Sequence, residues 1–197
     1  ETLRAMATGR ERCMYCEDSA ATDIEHFWPK SQYPDRAFSW DNYLLACSGC
    51  NSNEKREQFP LDAAGQPLLI DPTVEDPRDH LTLSVRTGKY QPRRRDSQES
   101  PKGKWSIKVF GLDRDILEKG RVDAWHTIPA LLVRYGAACD DQEWLLALEV
   151  QRTLCRTPFA SVFVWFLDIA AGPHAARFID ARSLRVLAQY PDIRDWL

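Results

Sequence analysis

Residues 13–55 read CMYCEDSAATDIEHFWPKSQYPDRAFSWDNYLLACSGCNSNEK. Two Cys-x-x-Cys pairs, Cys13/Cys16 and Cys47/Cys50, stand thirty residues apart. A Cys-x-x-Cys turn places two sulfurs on one ion, and two such turns complete the tetrahedron that zinc prefers. Four thiolates leave no open coordination position, so a zinc held here is structural rather than catalytic. Such a site supplies roughly 10 kcal/mol or more of apparent folding free energy in a small domain. Buried or redox-active thiol pairs are the alternative reading. Cys139 and Cys155 lie outside the pattern, in helical segments, and read as small buried apolar residues.

Inside the clamp lie an acid-histidine pair, Glu25-His26, and two asparagines, Asn42 and Asn51. An imidazole beside a carboxylate suits general-base chemistry next to a cation that stabilises developing negative charge. An imidazole takes a proton near neutral pH, with an ordinary pKa of about 6.5. A carboxylate suits a hard divalent ion such as Mg²⁺ or Mn²⁺. Asp23, two residues before Glu25, shares its strand face and is a further candidate ligand or partner of a base. Asn42 also fits a turn, Asn51 also fits a helix cap, and Asn53 is a rival to Asn51. Asp79-His80 is a second acid-histidine pair without surrounding motif residues.

The order Cys-x-x-Cys, Glu25-His26, Asn42, Cys-x-x-Cys-Asn resembles the four-cysteine HNH endonucleases, whose motif is a ββα-metal hairpin. The resemblance implies a general base at His26, metal ligands at Glu25 and Asn51, and an orienting role for Asn42. In the usual family pattern a lysine follows the last asparagine after two residues; here Lys55 follows after three. The words HFWPKS, NYLLAC, CNSNEKREQFP, LIDP and GLDRDIL are similar to HNH effector nucleases of Septu-type and retron-associated anti-phage systems. That similarity runs over roughly residues 11–120. It implies a nuclease that acts on DNA, double-stranded DNA in the first instance, beside an ABC-type ATPase subunit. The chain itself has no G-x-x-x-x-G-K-[ST] loop, so ATP would be bound by that partner.

These residues need elements to hold them. DIEHFWPKS reads as a short strand and DNYLLACSGCN as a second, feeding a helix from about Asn51. Residues 61–80, with three prolines, read as a wrapping loop. LTLSV (81–85) and WSIKVF (105–110) read as strands, the latter with Trp105, Ile107 and Val109 on one face. The polar segment between them reads as a long loop. From Leu112 the pattern becomes helical, with Asp113 as an N-cap, a second helix in DDQEWLLALEVQRTLCR, and a third starting at Thr157-Pro158. One or two more helices are expected in PHAARFIDARSLRVLAQY. The expected fold is therefore α+β: a zinc-stapled module with a basic hairpin loop over 1–111, and a helical region over 112–197 packed on it and available to a partner.

A net charge of −3 argues against a globally basic nucleic-acid binder but not against a local patch. Residues 86–108 supply one: Arg86, Lys89, Arg93, Arg94, Arg95, Lys102, Lys104 and Lys108, against Asp96 and Glu99. Lys30, Lys55 and Arg56 lie nearer the acid-histidine pair and are candidates for contacts close to the scissile phosphate. No run of eighteen apolar residues suggests a membrane span, and paired thiols that bind metal suit a reducing cytoplasm. A non-catalytic zinc-bound module, binding nucleic acid or protein, is the competing function; zinc ribbons use the same cysteine pairs but do not require Glu25-His26 or Asn51.

Overall fold

The computed structural model describes residues 2–197. The chain divides into two units, the first ending at Lys119 and the second starting at Gly120, inside a long helix.

The first unit opens with a short helix, α1 (Thr2–Met6). Strands β1 (Asp23–His26) and β2 (Tyr43–Ala46) then pair antiparallel, with Asp23 opposite Ala46 and His26 opposite Tyr43. The ladder extends beyond both ends through Thr22 N–H to the Ala46 carbonyl and Phe27 N–H to the Asn42 carbonyl. Alternation along β1 turns Glu25 inward and leaves Ile24 and His26 on the other face. β2 is nearly all apolar and buried at Leu44, Leu45 and Ala46, which seats the hairpin on the core. The helix after β2 is a π-turn, Gly49–Lys55, closed by Arg56 N–H on the Asn51 carbonyl at 2.7 Å. The ββα order of the sequence reading is thus present, with a helix of wider gauge.

Three further short hairpin strands replace the expected long loop. β3 (Leu81–Leu83) pairs with β4 (Tyr90–Pro92), and β5 (Arg94–Arg95) pairs with β6 (Gln98–Glu99) around Asp96-Ser97. Both turn residues have positive φ, as a two-residue primed hairpin turn demands. The turn between β3 and β4 requires Gly88: its φ is +68°, and a Cβ there would lie 1.9 Å from the Glu118 carbonyl oxygen.

The expected strand 105–110 is instead a helix, α2 (Pro101–Val109). Ser100 caps it by accepting from Gly103 N–H at 3.1 Å, and Pro101 occupies the first turn, where its missing N–H costs nothing. Local start signals therefore outweighed the apolar alternation, and β3 took its partner from residues 90–92. The buried face of α2 runs through Gly103, Ser106 and Val109, with Ser106 Oγ accepting from Ile70 N–H at 2.8 Å. Glu75, His80, Ser100 and Lys102 form one polar network that holds the 71–80 segment to α2: His80 meets Glu75 at 3.1 Å and Ser100 at 3.0 Å, and Lys102 reaches both Glu75 oxygens.

Helix α3 (Asp115–Asp140) starts one turn position later than an Asp113 cap implies, with Leu117 and Glu118 N–H on the Arg114 carbonyl. In the second unit, α3 continues as a stripe of Trp125, Ile128, Leu132, Tyr135 and Cys139, all buried. It is joined by α4 (Trp144–Arg156), α5 (Ala160–Ala171) and α6 (Ala181–Gln189), the last capped by Asp180 on the N–H groups of Arg182 and Ser183. Thr157 does not open α5 as expected. Its hydroxyl donates to the Leu154 carbonyl at the end of α4, and Phe159, in the left-handed region, precedes α5. Gly120 makes room for the Phe159 ring, which would lie 2.4 Å from a Cβ. Cys139 is buried and Cys155 half-buried, and both thiols are free. Among the described residues no single helix is long and apolar enough to cross a membrane.

Candidate active site

The four paired cysteines converge. Their sulfurs all lie within 4.8 Å of one another, and every one of these residues is buried. Cys13 and Cys16 come from the loop before β1, anchored by Met14 N–H on the Leu45 carbonyl; Cys47 and Cys50 come from the end of β2 and the π-turn. A tetrahedron with Zn–S bonds of about 2.3 Å has edges of roughly 3.8 Å. The Cys16 and Cys47 sulfurs are 3.8 Å apart. Crowding also polarises the thiols: hydrogen bonds among them pull Cys13 and Cys47 down and push Cys16 and Cys50 up from ordinary thiol values. Only a shared cation lets all four ionise together, so the donor set fits zinc.

A guanidinium backs this cluster. Arg114 Nη2 donates to Cys50 Sγ at 3.1 Å, while its Nε donates to the Gly111 carbonyl at 2.9 Å. Gly49 permits the approach, since a Cβ there would lie 2.8 Å from Arg114 Nη1. Arg114 is 64 residues from Cys50 in sequence; nothing in the spacing of the motif announces it.

His26 is fixed by backbone. Its Nε2 lies 3.1 Å from the Ala37 carbonyl oxygen, which also accepts from the Tyr43 hydroxyl at 2.8 Å. A carbonyl can only accept, so Nε2 carries a proton, and in the neutral imidazole the lone pair lies on Nδ1. The Tyr43 ring meets the imidazole edge-on at 5.2 Å. Asn42, only 1% exposed, staples the loop that carries this carbonyl. Its amide nitrogen donates to the carbonyls of Arg36 and Trp28, both at 3.1 Å, and its oxygen accepts from Trp28 N–H at 2.7 Å. Asn42 thus reaches the loop beside Ala37 through the Arg36 carbonyl. Tyr43 and the Ala37 carbonyl were missed by sequence reasoning; Tyr43 sits beside Asn42 in the motif, but a backbone carbonyl leaves no mark in a sequence.

The acids divide. Glu25 is 4% exposed and its Oε1 lies 2.5 Å from Lys55 Nζ, which donates to the His26 carbonyl at 3.0 Å. Burial pushes the Glu25 carboxyl up and the Lys55 ammonium down, and each charge opposes the other's shift. Lys55 is fully buried, so the expectation that it lies on the nucleic-acid surface is not met: its ammonium is consumed by Glu25 and the β1 backbone. The extra residue between Asn51 and Lys55 is accommodated by the π-turn, which lets Lys55 still reach inward. Asn51 faces β1, its Nδ2 3.3 Å from Asp23 Oδ2, whereas its rival Asn53 is exposed. The carboxylate beside Asn51 is thus that of Asp23.

The basic residues are largely paired. Arg94 meets Glu99 at 2.7 Å, Arg95 meets Asp79 at 2.7 Å, and Arg93 donates to the Arg78 carbonyl. Lys30 and Arg56 are exposed, Arg56 Nε donating to the Asn53 carbonyl. His80 of the second acid-histidine pair belongs to the Glu75 network, and Asp79 to Arg95.

Comparison with known proteins bears on the same segment. Residues 13–57 match the family described as HNH endonuclease. The chain is 32% identical over 148 residues to "Septu protein PtuB" of Bacillus mycoides (strain KBAB4), covering 60% of this chain and 48% of that protein. It is 31% identical over 86 residues to "Septu protein PtuB" of Bacillus thuringiensis, covering 41% and 32% respectively. "Protein ea31" of Escherichia phage lambda is 31% identical over 64 residues, 32% of this chain and 22% of that one. The chain thus matches less than half the length of these curated relatives. No solved structure matches it significantly. The segment that matches the HNH endonuclease family therefore runs from the first cysteine pair through the π-turn, and it contains the four-cysteine cluster.

Proposed function

We propose that the chain is a metal-dependent HNH endonuclease that hydrolyses phosphodiester bonds in DNA. The observation that carries this reading is the imidazole of His26, held at Nε2 by the Ala37 carbonyl so that Nδ1 is free to take a proton from water. The four cysteines join the start of β1 to the end of β2, and at the other end of the ladder Asn42 and Tyr43 hold the loop that orients the imidazole. A hard divalent ion, Mg²⁺ or Mn²⁺, would stabilise the charge developing on the phosphate and leaving oxygen. The resemblance puts its ligands at Glu25 and Asn51. With Glu25 neutralised by Lys55, the donors side by side are the Asp23 carboxylate and the Asn51 amide, and these are the residues we assign to it. Glu25 then serves as the inward ion pair that fastens β1 to the π-turn.

Similarity to the Septu proteins supports a place in a bacterial anti-phage defence complex, with an ABC-type ATPase subunit as the partner and nucleic acid as the substrate. Lys30, Arg56 and the Arg93–Arg95 hairpin are the cations assigned to its backbone. The test is cleavage of plasmid DNA with Mg²⁺ or Mn²⁺ by the full chain, alone and with its ATPase partner. Wild type is expected to nick and His26→Ala to be inert. Cleavage that survives His26→Ala would remove the imidazole from the mechanism. Failure of wild type and partner together to cut any DNA or RNA would return the chain to the second reading, a zinc-bound binding module, which the engagement of Glu25 by Lys55 favours.

A further inference from the structure

Three large apolar side chains around His26 face solvent. Phe38 is 92% exposed, Ile24 62% and Trp40 53%. Ile24 shares the outer face of β1 with His26. Trp40 packs its ring on Tyr43 at 6.3 Å, and Tyr43 packs on His26. Phe38 directly follows Ala37, whose carbonyl holds the imidazole. Large apolar side chains left exposed beside one candidate group mark a place where something binds.

The loop presents these rings rigidly. Ala37 N–H bonds to the Pro34 carbonyl, Ser39 N–H to Arg36, and Asn42 N–H to Ser39, while the Asn42 side chain pins Arg36 from below. A backbone bonded on both sides of Phe38 has little freedom left to lose on binding, and an aromatic side chain brings only two torsions. The charges on this loop nearly cancel: Lys30 and Arg36 are exposed, but so are Asp35 and Asp41. These four charges balance, so what the loop adds to the phosphate contacts of Lys30 is ring surface.

We propose that Phe38 and Trp40 stack on unpaired bases flanking the phosphate presented to His26. This deepens the nuclease reading and rests on it. Bases within a duplex already stack on their neighbours, so rings of this exposure beside the proton-abstracting histidine call for a strand that is single or locally opened. Base–aromatic stacking accepts any sequence because every base has a π-face. Phe38 and Trp40 are positioning residues here: they hold the strand while His26 works on the water.

The experiment uses the full chain in a His26→Ala background, which binds without cutting, and a short single-stranded oligonucleotide carrying 2-aminopurine, alongside the matching duplex. The background protein is expected to bind the single strand more tightly than the duplex and to quench the probe. Phe38→Ala and Trp40→Ala should each weaken single-strand binding about 5- to 150-fold, from alanine losses at stacked bases. Phe38→Trp should restore it. In the active protein the alanine variants should raise KM far more than they lower kcat, with zinc content unchanged. If the active protein cuts while the alanine variants bind and cut as their parents do, the stacking proposal is overturned and the nuclease reading stands. If wild type with its partner neither binds nor cuts any strand, both fall.

Discussion

Replacing Lys55 by methionine isolates what the buried ion pair does. The ammonium is fully buried, 2.5 Å from Glu25 Oε1 and 3.0 Å from the His26 carbonyl. At an effective dielectric of about 20 the Coulomb attraction at that distance is roughly 7 kcal/mol. Desolvation takes back several kcal/mol per ion, leaving the intact pair near break-even. Removing one partner is different, because it strands the other charge: the expected cost is about 3–5 kcal/mol. Amide exchange at Thr22 and Phe27, which flank the β1–β2 ladder, reports this directly, and protection should fall by about two to four orders of magnitude at 1.36 kcal/mol per decade. The double variant Lys55→Met/Glu25→Leu should recover most of the loss, since an apolar pair replaces both charges. The pH dependence has a defined sign. Burial raises the Glu25 carboxyl pKa even with Lys55 present, so the folded state of Lys55→Met binds a proton more tightly than the unfolded state. Its deficit should be largest above the raised folded pKa and shrink as pH falls through it toward the unfolded one. A Lys55→Met variant with protection within tenfold of wild type at pH 8, or a deficit independent of pH, would refute the argument that Glu25 is held as a charged group by Lys55.

Chelation with reductant present should remove one zinc per chain and melt the 13–57 segment, at a cost on the order of 10 kcal/mol, while far-UV circular dichroism retains the helices of the second unit. Arg114→Met should speed zinc loss to a chelator severalfold, with Arg114→Lys intermediate, because the guanidinium donates to Cys50 Sγ and offsets thiolate charge. Gly88→Ala should destabilise the first unit by more than 1 kcal/mol in denaturant, since it meets both a positive φ and the Glu118 carbonyl. Glu75 is held below the usual carboxylate range: burial raises it, but Lys102, the Asp71 N–H and His80 together outweigh burial. Its contribution is therefore present above the unfolded pKa and lost as pH falls through the folded one, and Glu75→Gln should flatten that acid limb.

The chemistry-bearing segment was legible because its information is local. Two cysteine pairs, an acid-histidine step and two asparagines carry their meaning in spacing, and the structure brings the four sulfurs together and sets Asn51 against β1. What the spacing could not carry was which way a side chain turns. Glu25 and His26 are adjacent, so a strand must send them to opposite faces, and only the core behind β1 decides that Lys55 fills the inner one. The 105–110 segment failed for another reason: its alternation of Trp105, Ile107 and Val109 was genuine, but Ser100-Pro101 starts a helix whatever follows. Arg114, the Ala37 carbonyl and the exposed rings of the 34–42 loop act across the tertiary structure, where no motif reaches.

The two halves of the sulfur clamp leave the ribosome at different times. Thirty residues lie between Cys16 and Cys47, and at 5–20 residues per second they take about 2 to 6 seconds to be made. Over that interval a nascent chain owns only a two-thiol half-site, and β1 has no partner strand to lie against. The β1–β2 hairpin proposed to carry the chemistry therefore cannot close until synthesis has passed residue 50, and a zinc ion bound by all four thiols could join it only then.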